Sequence, residues 1–245
     1  YGDEPNKIRG RMQLLSARYG KKIRAVPKNS KSYGDLINLV SIEQMKAAIF
    51  YNLGLHSQSS DPLLSQKYLN RASDVISNLK RILESIKKGS ELLKANDLRE
   101  NPANKKYWTE NIIFQRNRLL GNALMLQAGI LLAQKENQRT NVEQAIRLLE
   151  SVQNSTATSD PNQWLVSGLD AARLRISLAD AYLRKRSSNH EQEKQKVAKA
   201  ADLLKPLLAV IDSDPYAKRL KGSIRLTEAK ILLADFHLDE LDEKK

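Results

Sequence analysis

Apolar residues recur three and four apart along most of this chain, the spacing that gathers them on one face of an α-helix. Four times an Asp or Asn stands directly before a proline, at Asp61-Pro62, Asn101-Pro102, Asp160-Pro161 and Asp214-Pro215, and an Ala/Leu-rich amphipathic run follows each. The Asp or Asn oxygen accepts a bond from an orphaned backbone N–H of the first turn. Proline just inside the helix lacks a donor that would have had no partner there. Strand-like alternation is almost missing. The pattern predicts an all-α fold of antiparallel helical hairpins.

Segment by segment, Ile8, Met12, Leu15 and Tyr19 predict a short amphipathic helix, closed by Gly20 and Pro27, with a polar loop from Pro27 to Gly34. A stretch this short reads as a terminal cap on the stack, with docking on a membrane surface as the competing reading. Asp35 is placed to cap a helix reaching Leu55. Asp61 is placed to cap a long one reaching Ala95, with the stripe Leu69, Ala72, Val75, Ile76, Leu79, Leu83 and Ile86. After a polar break at 96–105, residues 106–135 form the most apolar helix, with Ile112, Leu119, Ala123, Leu124 and Ile130 spread over most of its faces. Thr140 or Asn141 caps a helix carrying Val142, Ala145, Ile146, Leu149 and Val152, followed by a loop at 154–160. The next helix, from Asp160, carries Leu165, Leu169, Ala172, Ile176, Ala179 and Leu183. Beyond a polar break at 186–190, another carries Val197, Ala200, Ala201, Leu204, Leu207, Leu208 and Ile211, with a kink expected at Pro206. The last, from Asp214, runs through Leu220, Ile224, Ala229, Leu232, Leu233 and Phe236.

A small residue followed by a bulky pair appears at Ala128, Ala179 and Ala229, so a hairpin recurs roughly every fifty residues. Ala48-Ile49-Phe50-Tyr51-Asn52-Leu53-Gly54 resembles the first helix of a tetratricopeptide repeat. Tyr68-Leu69-Asn70-Arg71-Ala72 and Ala145-Ile146-Arg147-Leu148-Leu149 resemble its second helix, and Asp214-Pro215 resembles the pair that closes one repeat and opens the next. The period is longer than that family's, and Leu-Gly occurs clearly once. The resemblance covers residues 36–236 as a general plan. It implies a right-handed superhelix whose first helices line a concave groove for a peptide or partner helix. The polar groove candidates on those first helices are Asn52, Gln115, Arg118, Asn122, Arg173, Arg175 and Arg225. The carboxylate clamp of some members is not implied, since Tyr51 and Leu55 stand at the clamp positions.

Composition narrows the chemistry. The 245 residues are 41% hydrophobic but only 5% aromatic, which suits a Leu/Ile/Ala core between helices. With no cysteine there is no disulfide, thiolate metal site or cysteine nucleophile, and the compartment, exported or cytoplasmic, stays open. The chain opens at Tyr1 with neither methionine nor a signal-peptide pattern, as a processed or internal boundary would. No apolar run is long enough to span a membrane.

The net charge of +13 is unevenly placed. Nine basic residues, Lys7, Arg9, Arg11, Arg18, Lys21, Lys22, Arg24, Lys28 and Lys31, face only Asp3 and Glu4 over residues 1–34, whereas the C-terminal end is acidic. The reading is therefore a basic arm over residues 1–34 followed by a helical repeat domain over 35–245. The arm either contacts a polyanion or is simply a solvated segment.

Phosphate loops, zinc-protease and serine-hydrolase signatures and calcium loops are all missing. His237 with Asp235 and Asp239 lacks metal-ligand spacing, His56 reads as a helix-end residue, and Tyr107, Trp108 and Trp164 read as packing at helix starts. Glu110 and Glu143 have no carboxylate partner at useful spacing. The expectation is a non-enzymatic scaffold, with no cofactor, that binds another protein in a helical groove. The alternative is binding of nucleic acid or another polyanion through the basic arm, with anionic membrane or cell-wall polymer as further polyanions.

Overall fold

A computed structural model describes residues 30–100, 114–134, 138–157 and 168–242. Within them the chain is all-helical: α1 Ser30–Ser57, α2 Pro62–Glu100, α3 Phe114–Ala133, α4 Gln138–Ala157, α5 Gly168–Arg184, α6 His190–Ala209, α7 Pro215–Arg219 and α8 Lys221–Asp242. They fall into two compact units, Tyr1–Leu126 and Gln127–Lys245.

In the first unit, α1 and α2 form a closely packed hairpin. Asp61 caps α2 as its type predicts, accepting the Leu64 N–H at 3.0 Å, with Pro62 at the first helical position. The stripe of α2 is buried at Leu69, Ala72, Ile76, Leu79 and Leu83. Gly54 allows the close approach: a Cβ there would lie 2.8 Å from Leu69 Cδ2. The Ser65 hydroxyl donates to the Gly54 carbonyl at 2.8 Å in the same buried crossing. Phe50 stacks on Tyr68, with ring centroids 6.3 Å apart. Arg116 ties the start of α3 to α2, its Nε–H donating to the Leu83 carbonyl at 3.0 Å and its guanidinium 3.7 Å from Glu84.

In the second unit α5 is central, packing against α4, α6, α7 and α8. The stripe expected on α4 is buried throughout, at Val142, Ala145, Ile146, Leu149 and Val152. On α5, burial reaches Leu174, Leu178 and Ala181 as well as Ala172 and Ala179, because neighbours surround it. Val197, Ala200, Leu204 and Leu207 of α6, with Ile211 beyond it, join Ala217, Ile224, Ile231 and Leu238 in one apolar core. Lys196 closes the C-terminal end of α5 by donating to the carbonyls of Leu183 and Lys185. A cation suits a helix C-terminus, where free carbonyls carry partial negative charge.

Several boundaries differ from the sequence reading. Helix α1 spans Ser30–Ser57, so Asp35 and residues 30–34 of the expected loop lie inside it. One glycine costs a helix only about 1 kcal/mol, and no proline follows Pro27 to forbid the extension. Helix α2 continues past Ala95 to Glu100. Helix α4 starts at Gln138, ahead of Thr140 and Asn141, and extends through Ala157. Asn189 caps α6 by accepting the Gln192 N–H at 2.9 Å. Helix α6 runs through Pro206 and ends at Ala209, short of the expected Ile211, where the Val210 N–H turns to the Leu207 and Leu208 carbonyls. Asp214 does cap its helix, but that helix is the five-residue α7, and a break at Leu220 separates it from α8. The helix expected at 8–19, and Asn101-Pro102, Asp160-Pro161, Tyr107, Trp108, Glu110, Ile112 and Trp164, lie outside the described residues.

The largest departure is on α8. The sequence reading runs its apolar stripe through Leu220, Ile224, Ala229, Leu232, Leu233 and Phe236. Ile224 is buried as expected and Leu220 is half-buried, but the core continues through Thr227, Ile231 and Leu238, and Ala229, Leu232, Leu233 and Phe236 are exposed. Ala229 thereby parts from Ala128 and Ala179, both buried, with which its segment compares in sequence.

Candidate interaction surfaces

Two helix faces stand out, one polar and one apolar. The polar face is on α3, within the first unit. Gln115, Arg118 and Asn122 follow one another at spacings of three and four, so one stripe of the helix carries all three, each half-buried. Next to it Arg116, Leu119 and Ala123 turn into the core. Two polar atoms of the stripe are buried without a hydrogen-bond partner: the Arg118 Nε–H donor and the Asn122 Oδ1 acceptor. Leaving such an atom unsatisfied costs about 1–3 kcal/mol, so packing alone does not favour these two residues here.

The other groove candidates lie on other helices. Asn52 is exposed on α1. Arg173 and Arg175 sit two apart on α5 and so point to different sides; Arg173 is exposed and 3.8 Å from Asp170, and Arg175 is half-buried. Arg225 is exposed on α8 and pairs with Glu228 at 2.7 Å, which raises the guanidinium pKa further. Of the basic-arm residues, Lys31 lies in the first turn of α1, and Lys7, Arg9, Arg11, Arg18, Lys21, Lys22, Arg24 and Lys28 lie outside the described residues.

The apolar face is on α8. Leu226, Leu232, Leu233 and Phe236 are 60%, 63%, 58% and 57% exposed, with exposed Ala229 among them. The opposite side of the same helix supplies Ile224, Ile231 and Leu238 to the core. A helix apolar on both sides has packed one and left the other to water. The sequence did carry a signal for this, since Leu226, Ala229, Leu233 and Phe236 keep helical spacing independently of the buried set.

Charged groups elsewhere in the second unit tie helices together. Tyr182 of α5 donates its hydroxyl to Glu150 of α4 at 2.5 Å, with Lys199 of α6 5.6 Å from the ring centroid. Burial, reinforced by the Glu150 carboxylate, pushes the phenol up to about 12, so it stays protonated at neutral pH. Asp180 accepts from Arg184 at 2.8 Å and from Lys230, linking α5 to α8, and Arg184 also donates to the Leu132 carbonyl at the end of α3. Burial raises the Glu193 carboxyl, but bonds from Lys196 and Ser187 outweigh it and hold the pKa below the usual range. These groups satisfy one another. Glu143 pairs with Arg139 at 3.7 Å, and His56 is exposed in the last turn of α1, as its position suggested. Among the described residues no cluster of three or more His, Asp or Glu is placed to hold a metal ion, and no helix is long and apolar enough to cross a membrane.

Comparison with protein-family models, with curated proteins and with solved structures found no match to this chain.

Proposed function

We propose that this chain is a non-enzymatic scaffold of tetratricopeptide-like hairpins that binds a peptide segment of a partner protein in a helical groove, with α3 as its reading edge. The observation that carries the reading is the unpaired buried donor of Arg118 beside the unpaired buried acceptor of Asn122. Turned outward, these half-buried side chains would offer one N–H donor and one acceptor a helical turn apart, which complement a peptide group, whose C=O accepts and whose N–H donates. An extended segment has such groups free, whereas a helix has already used most of its own. Gln115, one turn earlier on the same stripe, supplies an amide that both donates and accepts. The partner is therefore a protein presenting an extended stretch, held by backbone bonds and selected by the side chains beside it.

The test is selection of peptides from a displayed random library on the full chain, followed by affinity measurement with Arg118→Ala and Asn122→Ala. Enriched peptides should lose tenfold or more in affinity with each variant, while the helical circular dichroism is retained. Selected peptides that bind both variants as well as the parent would overturn the reading.

A second reading rests on the nine Lys/Arg of residues 1–34, which favour a polyanion such as nucleic acid. Its affinity would fall steeply with salt and drop when Lys21, Lys22, Arg24 and Lys28 are replaced by Gln. A gel shift insensitive to those replacements would remove it.

A further inference from the structure

We infer that the exposed face of α8 is a self-association surface, through which two copies of the chain pair with their α8 helices antiparallel. This face shares no residue with the stripe proposed on α3, and neither proposal depends on the other.

Three features of the helix select a second copy as the occupant. The exposed stripe Leu226, Ala229, Leu233 and Phe236 has intervals of three, four and three, the same read in either direction. Two such helices laid antiparallel about an axis near residue 231 set Leu226 against Phe236 of the partner copy. The same register sets the small Ala229 against Leu233 of the partner copy, a large-into-small fit made twice. A two-fold interface demands this self-complementarity, since each patch meets an identical patch.

The charges run the same way. The first half of α8 holds Lys221, Arg225 and Lys230 against Glu228, with Asp212 and Asp180 beside Lys221 and Lys230, and the second half holds Asp235, Asp239, Glu240 and Asp242 with no Lys or Arg. Antiparallel pairing brings each basic half over an acidic half, while parallel pairing sets like against like. Helical register puts Arg225 and Leu232 along one edge of the stripe. Across the axis that edge meets its own copy, so Leu232 comes near Leu232 of the partner copy, and Arg225 comes opposite the acidic end. Four large apolar side chains more than half exposed on one helix supply the area that makes pairing favourable.

Sedimentation equilibrium from 1 to 200 µM tests this. The mass should rise from 27.7 kDa toward twice that value, and Leu233→Glu and Phe236→Glu should each hold it at 27.7 kDa with unchanged circular dichroism. Arg225→Glu and Asp239→Arg should each weaken the dimer tenfold or more, and the double reversal should restore it. The chain has no cysteine, so single cysteines report the geometry directly. Leu232→Cys should form an intermolecular disulfide on oxidation. Gly222→Cys should not, because antiparallel pairing leaves its mate 18 positions away, about 27 Å along the helix. A single mass of 27.7 kDa up to 200 µM would overturn the proposal, as would a dimer indifferent to Leu233→Glu. Equal crosslinking at both cysteines, the mark of a parallel pair, would overturn it too.

Discussion

Replacing Gly54 with alanine should destabilise the chain, although alanine is the better helix former. The added Cβ would sit 2.8 Å from Leu69 Cδ2 and 2.9 Å from Leu69 Cγ, against an optimum of about 3.5–4.0 Å between carbons. Leu69 is 1% exposed, so it has no free space to turn into, and α1 or α2 must move. Overpacking of this kind costs about 1–3 kcal/mol, and the gain in helix propensity returns about 0.5–1 kcal/mol. The net expectation is a loss of about 0.5–2 kcal/mol. Gly222→Ala is the control. A Cβ there meets nothing within 4 Å, so only the propensity gain remains, and the variant should be more stable than the parent by up to about 1 kcal/mol. Urea unfolding of the full chain, followed at the helical band, measures both shifts. Because the clash is with one side chain, Gly54→Ala combined with Leu69→Ala should lose less than the two singles added, by about 1–2 kcal/mol. A Gly54→Ala variant as stable as the parent, or strict additivity with Leu69→Ala, would refute the argument from close approach.

Asn122→Leu separates function from stability: it removes a buried unpaired acceptor, so unfolding should require about 1 kcal/mol more while binding of selected peptides is lost. A loss of stability would mean that Asn122 is paired in the folded chain. Tyr182 should ionise near pH 12 in an ultraviolet titration, and Glu150→Gln should bring it down. Its folded pKa is raised, so the stability it contributes is complete below pH 10 and is lost as the pH rises from 10 toward 12; thermal melts across that window check the sign. Asp214→Ala removes an acceptor for the Tyr216 and Ala217 N–H groups, 2.9 and 2.7 Å away, and should cost about 1 kcal/mol in the same urea assay. A change within error would show that the cap on so short a helix is dispensable.

What the sequence determined by itself is what local chemistry decides. Asp61 and Asp214 are legible as caps because the oxygen and the N–H groups it serves lie within three residues of each other. The stripes of α2, α4 and α6 are legible because each helix has one apolar face and hence one way to pack. Where a helix has two, periodicity does not choose between them. On α8, Ile224, Ile231 and Leu238 compete with Leu226, Leu233 and Phe236 on equal terms, and only the fit against α5 and α6 turned the first set inward. The same limit holds on α5, whose burial beyond a single stripe follows from how many neighbours it has. It holds again on α3: the sequence singles out Gln115, Arg118 and Asn122 as polar, but their half-burial, with two atoms left unpaired, depends on what packs around them. Caps and stripes are properties of a segment, whereas exposure belongs to a segment together with its neighbours, and the candidate surfaces of this protein are of the second kind.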